Sequence, residues 1–236
     1  ESIEKDIDIP FLGNIPKYDK EKMPLSQLVI QQEPQSSITE SFRHIRGNLD
    51  FINNNEGSKI ITCTSTVSGE GKTFVITNLA GIFAYSNKKV IVLDMDMRKP
   101  KIHFALHEKS INNEKQKVLN RIGMSNLLIG EKQKDGSELH WKDCIHYNNY
   151  FDNLHFITAG KIPPNPSELI LSERFKQIIA ELKREYDYIF LDCPPIGIVA
   201  DALPCLHIAD YPIYVFKKHF SIIRTVVFIF IKSPRA

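Results

Sequence analysis

The chain has 236 residues, 42% of them hydrophobic, enough to bury one large core with a second domain possible but not required. Thirty basic residues against 28 acidic leave a formal net charge of +2, which excludes the broad positive footprint of a nucleic-acid binder. Cys63, Cys144, Cys193 and Cys205 form no CxxC pair and no zinc-ligand spacing, which points to a reduced compartment. No apolar run reaches the roughly 20 residues of a membrane span, and residues 1–8 are charged rather than signal-like, so the chain itself reads as soluble. Because it begins at Glu1 rather than Met, upstream sequence is expected to have been removed.

In chain order, residues 1–36 are rich in Pro, Gln and charge and are expected to form an extended lead-in that packs locally. From Ser37 the apolar residues Ile38, Phe42, Ile45, Leu49 and Ile52 follow spacings of three and four that mark one helix face. Thr39 or Ser37 is available to cap it, and its polar side carries Glu40, Arg43 and Arg46. Residues 59–64 then read as an apolar strand and 74–80 as an apolar helix. Between them lies Ser65-Thr-Val-Ser-Gly-Glu-Gly-Lys-Thr73.

Strand, glycine-rich turn and helix together are the context of a phosphate-binding loop. Gly69 and Gly71 let the backbone turn tightly and aim its N–H groups inward, so a polyphosphate can sit at the positive end of the following helix. Lys72 supplies a charge for the outer phosphates and Thr73 a hydroxyl for Mg²⁺. The loop departs from the GxxxxGK[ST] pattern at its first position, where Thr66 replaces glycine.

Further apolar runs at 89–94, 154–158, 186–192 and 212–216 read as buried strands, and 172–185 as a helix with Phe175, Ile178, Ile179 and Leu182 inward. A short helix is expected at 124–129 between polar loops. The alternation predicts an α/β fold of P-loop type, a mostly parallel sheet with helices on both faces in three αβα layers. Ligands in such sheets bind at the carboxyl ends of the strands. Two strands end there in acid, one in Asp94 and Asp96, the other in Asp192, and hard oxygen ligands of this kind suit Mg²⁺, directly or through its waters. Arg98 shares a face with Asp96 if the strand continues, either to stabilise transition-state charge or to form a structural ion pair. His103 and His107, four apart, fit ordinary surface residues better than a metal pair.

The loop at 65–73, Ile91-Val-Leu-Asp-Met-Asp-Met-Arg98 and the run at 188–192 resemble the Walker A, A′ and B motifs of bacterial tyrosine kinases, the cytoplasmic domains of polysaccharide co-polymerases. Glu40-Ser-Phe-Arg43-His-Ile-Arg46 is similar to that family's ExxRxxR oligomerisation helix. Residues 159–169 resemble its PPNPSELL segment, and 192–202 its DxPPxxxxxDA segment. The resemblance implies an ATP- and Mg²⁺-dependent, autophosphorylating protein-tyrosine kinase that regulates capsular or exopolysaccharide synthesis and export. It implies nucleotide binding by Ser68, Gly69, Glu70, Gly71, Lys72, Thr73, Phe74 and Arg98, with Thr73, Asp94, Asp96 and Asp192 at the metal. Lys72, Asp94, Asp96 and Asp192 would be catalytic, one A′ aspartate accepting the tyrosine proton. The implied partners are the tyrosine-rich tail of a neighbouring subunit or other protein tyrosines, and a membrane co-polymerase region or activator protein. Glu40, Arg43 and Arg46 would build a homo-oligomeric ring at the cytoplasmic side of the inner membrane, with no nucleic acid involved.

The expected organisation is therefore a lead-in at 1–36, a kinase domain at 37–216 and an atypical tail at 217–236. Ser68 stands where the family usually has proline, a mild change because serine tolerates a turn. The tail has five positive charges, no acid after Asp210 and no tyrosine, whereas the family's chains continue and end in a tyrosine cluster, so truncation near here is expected. Its apolar run at 226–231 would be an aggregation hazard if left unpaired. Septum-positioning and plasmid-partition ATPases share the three motifs but carry a signature lysine, in a KGGxGKT pattern, where Val67 and Ser68 stand. A third reading is a catalytically impaired, truncated regulator whose ATP-dependent ring assembly still controls export.

Overall fold

The computed structural model describes residues 11–16, 28–52, 56–102, 122–197, 201–217 and 225–229, so His103 and His107 lie outside the described residues. The strands are β1 (Phe11–Ile15), β2 (Lys59–Ser65), β3 (Val90–Asp94), β4 (His146–Tyr147), β5 (Leu154–Ile157), β6 (Tyr188–Asp192), β7 (Tyr211–Lys217) and β8 (Thr225–Ile229). The helices are α1 (Val29–Gln32), α2 (Ser37–Ile52), α3 (Lys72–Tyr85), α4 (Met124–Ile129), α5 (Pro166–Leu171), α6 (Glu173–Glu185) and α7 (Ala202–Ile208). The strands form one sheet in the order β1-β8-β7-β2-β6-β3-β5-β4. Its centre, β7-β2-β6-β3-β5, is parallel, and antiparallel strands close both edges.

Strand side chains alternate between two cores. Ile61, Cys63, Val90, Val92 and Phe190 meet Phe42, Ile45, Val75 and Leu79 of α2 and α3. On the other face, Ile60, Ile91, Leu93, Ile189 and Leu191 meet Leu127, Phe175, Ile178 and Leu182 of α4 and α6. Burial on both faces is why these strands read as continuous apolar runs in an αβα sandwich. The helix at 172–185 begins one residue later than its apolar spacing suggests, because Ser172 is its cap and accepts the Phe175 N–H at 3.2 Å.

In α2 the residues Ile38, Phe42, Ile45 and Leu49 are buried as expected, while Ile52 in the last turn is exposed. Phe42 meets Phe74 edge-on at 5.9 Å, which seats α2 on α3. The cap is neither Thr39 nor Ser37 but Ser36, whose Oγ accepts the Thr39 N–H at 3.2 Å. Thr39 itself is buried and donates to the Glu33 carbonyl at 2.7 Å. Ser36→Ala is expected to cost about 1 kcal/mol, read as a lower urea midpoint at unchanged m-value.

Both ends of the described chain enter the sheet. The lead-in supplies β1 and the tail supplies β8, which pairs antiparallel with β1 on one side and β7 on the other. The described part of the apolar tail run is thus paired along both edges, and among the described residues the sheet ends in β1, irregular between Phe11 and Gly13, and in the two-residue β4. No helix among the described residues is long and apolar enough to cross a membrane.

Candidate active site

Strand order brings the acids to the loop. β6 lies between β2 and β3, with Asp192 opposite Cys63 on one side and Asp94 on the other, so both aspartates stand at the carboxyl ends beside the loop that leaves β2. Gly69 and Gly71 hold φ values of 93° and 101°, a left-handed conformation that disfavours any residue with a Cβ. Gly71 immediately precedes α3, whose first-turn N–H groups and positive dipole end face the loop.

The loop is stapled from within and pinned from outside. Ser65 Oγ donates to the Val67 carbonyl at 2.8 Å, and Glu70, buried, accepts the Val67 N–H at 2.9 Å. Thr66, in place of the leading glycine, hydrogen-bonds through its hydroxyl to Tyr214 on β7. Its carbonyl packs so closely on Gly197 that a Cβ there would approach it to 2.4 Å. The Ile196 N–H donates to the Ser65 carbonyl at 2.9 Å, tying the segment after Asp192 to the same loop.

The three aspartates differ. Asp94 is fully buried and accepts three backbone N–H bonds at 3.2 Å, from Asp96 on Oδ1 and from Lys101 and Ile102 on Oδ2, so it organises its own loop. Burial and the neighbouring Asp192 charge push its carboxyl well above the usual carboxylate range, against the pull of the Ile102 N–H. Asp192 accepts the Thr73 hydroxyl on Oδ2 at 2.6 Å, while its Oδ1 is buried without a hydrogen-bond partner among the described residues. Burial raises its carboxyl to about 6, with the Thr73 bond and the Lys72 charge acting the other way. Asp96, slightly exposed at the site, accepts the Lys99 N–H at 3.1 Å; burial raises its carboxyl and the Lys99 bond and Lys72 charge oppose.

An orphaned buried carboxylate oxygen beside a threonine hydroxyl fits a divalent cation. Among the described residues no three His, Cys, Asp or Glu side chains close into a metal cage. The donor set therefore fits Mg²⁺, which keeps waters and takes substrate phosphate oxygens alongside one or two carboxylates, rather than an ion bound by protein alone.

A family model described as an AAA domain matches residues 58–223. The chain is 37% identical over 183 residues to the putative tyrosine-protein kinase CapB of Staphylococcus aureus, covering 78% of this chain and 72% of that one. The chain belongs to the bacterial tyrosine-protein kinases. Tyrosine-protein kinase YwqD of Bacillus subtilis is 32% identical, with 81% and 73% covered. Tyrosine-protein kinase wzc of Salmonella typhi is 33% identical over 75% of this chain but only 22% of its own length. Among solved structures, the chimerical protein CapA2B2 superposes with a TM-score of 0.74 at 31% identity, covering 90% of this chain and 83% of its own. The kinase domain of Escherichia coli tyrosine kinase ETK gives 0.73 at 26%, covering 89% and 78%. These relatives set aside the partition-type ATPases that the shared motifs had left open.

In this bacterial tyrosine-protein kinase the remaining expected residues fall in three places. Ser68 lies exposed on the loop crest, while the Phe74 ring turns to Phe42 at the α2–α3 interface and the Glu70 carboxylate accepts the Val67 N–H inside the loop. Arg98 turns to Asp201, Nε to Oδ2 at 2.7 Å, forming an ion pair with it. Glu40 pairs with Arg43 along the helix; Arg43 also covers the Tyr85 ring at 5.8 Å, and Arg46 bonds Ser86 and approaches Asp50 at 3.8 Å. Asp201, Ser167 and Tyr214 take part in the network without having been singled out from sequence, although the first two lie in family-like segments. A cavity of about 610 Å³ lined by Lys59, Lys89, Lys183 and Asp187 lies at the amino ends of the strands, away from the loop. Its whole lining sets five basic against four acidic side chains and includes neither the loop residues nor Asp94, Asp96 or Asp192.

Proposed function

We propose that the chain transfers the γ-phosphoryl group of ATP to protein tyrosines, with Mg²⁺ as cofactor. The observation that carries the reading is the Thr73 hydroxyl on Asp192 Oδ2, with the orphaned Oδ1 beside a glycine-bent loop that ends in Lys72. Loop N–H groups and Lys72 would hold the phosphates, and Thr73 and Asp192, with Asp96 near, would hold the cation, which neutralises charge on the β- and γ-phosphates when bound. The tyrosine oxygen then bonds to the γ-phosphorus as the bond to the ADP oxygen breaks, and the phenolic proton passes to a carboxylate. Asp96 suits that last role better than Asp94, whose two oxygens already accept three N–H bonds inside the protein. Arg98 is engaged by Asp201 and serves position rather than phosphate charge.

The tyrosines served would lie on a neighbouring subunit's tail or on other proteins, and the family resemblance supports a role in capsular or exopolysaccharide synthesis with a membrane co-polymerase or activator as partner. Glu40, Arg43 and Arg46, on a largely polar helix face, would join subunits into a ring at the cytoplasmic side of the inner membrane. Incubating the chain with labelled ATP, Mg²⁺ and a tyrosine-containing peptide tests the reading. Labelled phosphotyrosine is expected; phosphate release without tyrosine labelling would overturn it in favour of a nucleotide switch.

A further inference from the structure

We propose that Asp201, itself held by the Ser167 hydroxyl, is a positioning residue for phosphoryl transfer, holding the Arg98 guanidinium and through it the loop that carries Asp96. The inference rests on the kinase reading of the site. Asp201 sits at the start of α7, and its side chain is 3% exposed against 47% for Arg98. One oxygen accepts Arg98 Nε at 2.7 Å; the other accepts a terminal Arg98 nitrogen at 3.4 Å and the Ser167 hydroxyl from α5. A single buried carboxylate therefore ties together three segments that are far apart in the chain.

The tie matters because of how the loop after β3 is otherwise held. Its bonds are mostly internal: the Asp96, Lys101 and Ile102 N–H groups to Asp94, and the Lys99 N–H to Asp96. The Met95 N–H, bonded to the Asp192 carbonyl at 3.0 Å, fixes the start of the loop to the sheet. The Arg98–Asp201 fork fixes the loop two residues beyond Asp96. A planar guanidinium gripped at two points resists rotation, which a single-point lysine contact would not do. Phosphoryl transfer depends on alignment, and a displacement of about 1 Å at a reacting group can cost on the order of 100-fold in rate.

Asp201→Asn keeps the shape and the Ser167 partner but removes the charge. It is expected to lower kcat for tyrosine labelling by about 10- to 100-fold while leaving KM for ATP within about twofold. Arg98→Lys should behave alike, and the double variant should be no slower than either single variant, because both act through one contact. Ser167→Ala, which removes one hydroxyl, should give a smaller loss of the same kind in a chain that folds normally by thermal unfolding. Wild-type kcat in Asp201→Asn and Arg98→Lys, a loss confined to KM for ATP, or multiplicative losses in the double variant would overturn the proposal. Wild-type protein measured in parallel keeps the two readings apart: no phosphotyrosine from the wild type overturns the kinase reading itself, whereas labelling that is indifferent to Asp201 overturns only the positioning role.

Discussion

Lys72→Met is expected to lower tyrosine labelling by about 10³-fold or more, equivalent to roughly 4 kcal/mol of transition-state stabilisation. Lys72 is the first residue of α3 and is 93% buried, so its stem is packed against the protein beside the loop and the aspartates. Methionine preserves most of the stem's length and packing, which leaves α3 and the fold in place. The loss has two sources. One is the charge that would meet the β- and γ-phosphates. The other is the charge balance of the site, where the Lys72 charge now draws the Asp96 and Asp192 carboxyls downward; without it both are held higher. Weakened binding of nucleotide, through loss of the charge that would meet its phosphates, should therefore accompany the rate loss. Labelling above about a tenth of the wild-type rate would remove Lys72 from its assigned place.

What could be read from sequence follows the range of the interactions concerned. The central strands were legible because burial on both faces leaves an unbroken apolar signature, and α2 because its inward residues recur every three or four positions. The acids at 94, 96 and 192 were legible because a carboxylate closing an apolar strand stands out, and strand order alone then carries Asp94 and Asp192 to one level. The Arg98–Asp201 pair was not, since 103 positions separate the partners and no local pattern selects one acid among many. Nor was the pairing of β1 with β8, which depends on edges that sequence periodicity does not assign. Glu70 shows a third kind of limit: that its carboxylate accepts the Val67 N–H within the turn could not be read from its place in the loop.

The second large effect is a pH dependence that Mg²⁺-nucleotide should reverse. Asp192 holds its proton up to about pH 6 in the folded chain, against an ordinary value of 3.8. A raised folded-state value means that the native state binds more protons than the unfolded state between these two pH values, so stability falls as pH rises through that window. The full effect is up to about 3 kcal/mol, present below pH 4 and gone above pH 6. Asp94, raised by burial and by Asp192, adds to the loss in the same direction. Without ligand, the melting temperature attributable to this site should therefore decline from pH 5 to pH 7. Mg²⁺ with nucleotide, which favours the ionised carboxylates, should restore about 3 kcal/mol at a concentration 100-fold above its dissociation constant. Asp192→Asn removes the buried charge while still offering an oxygen to the Thr73 hydroxyl. It should flatten the decline, raise the unliganded melting temperature at pH 7, and abolish both stabilisation by Mg²⁺-nucleotide and tyrosine labelling. A variant that kept the wild-type decline, or kept its response to Mg²⁺-nucleotide, would show that the orphaned oxygen of Asp192 is not where the cation is held.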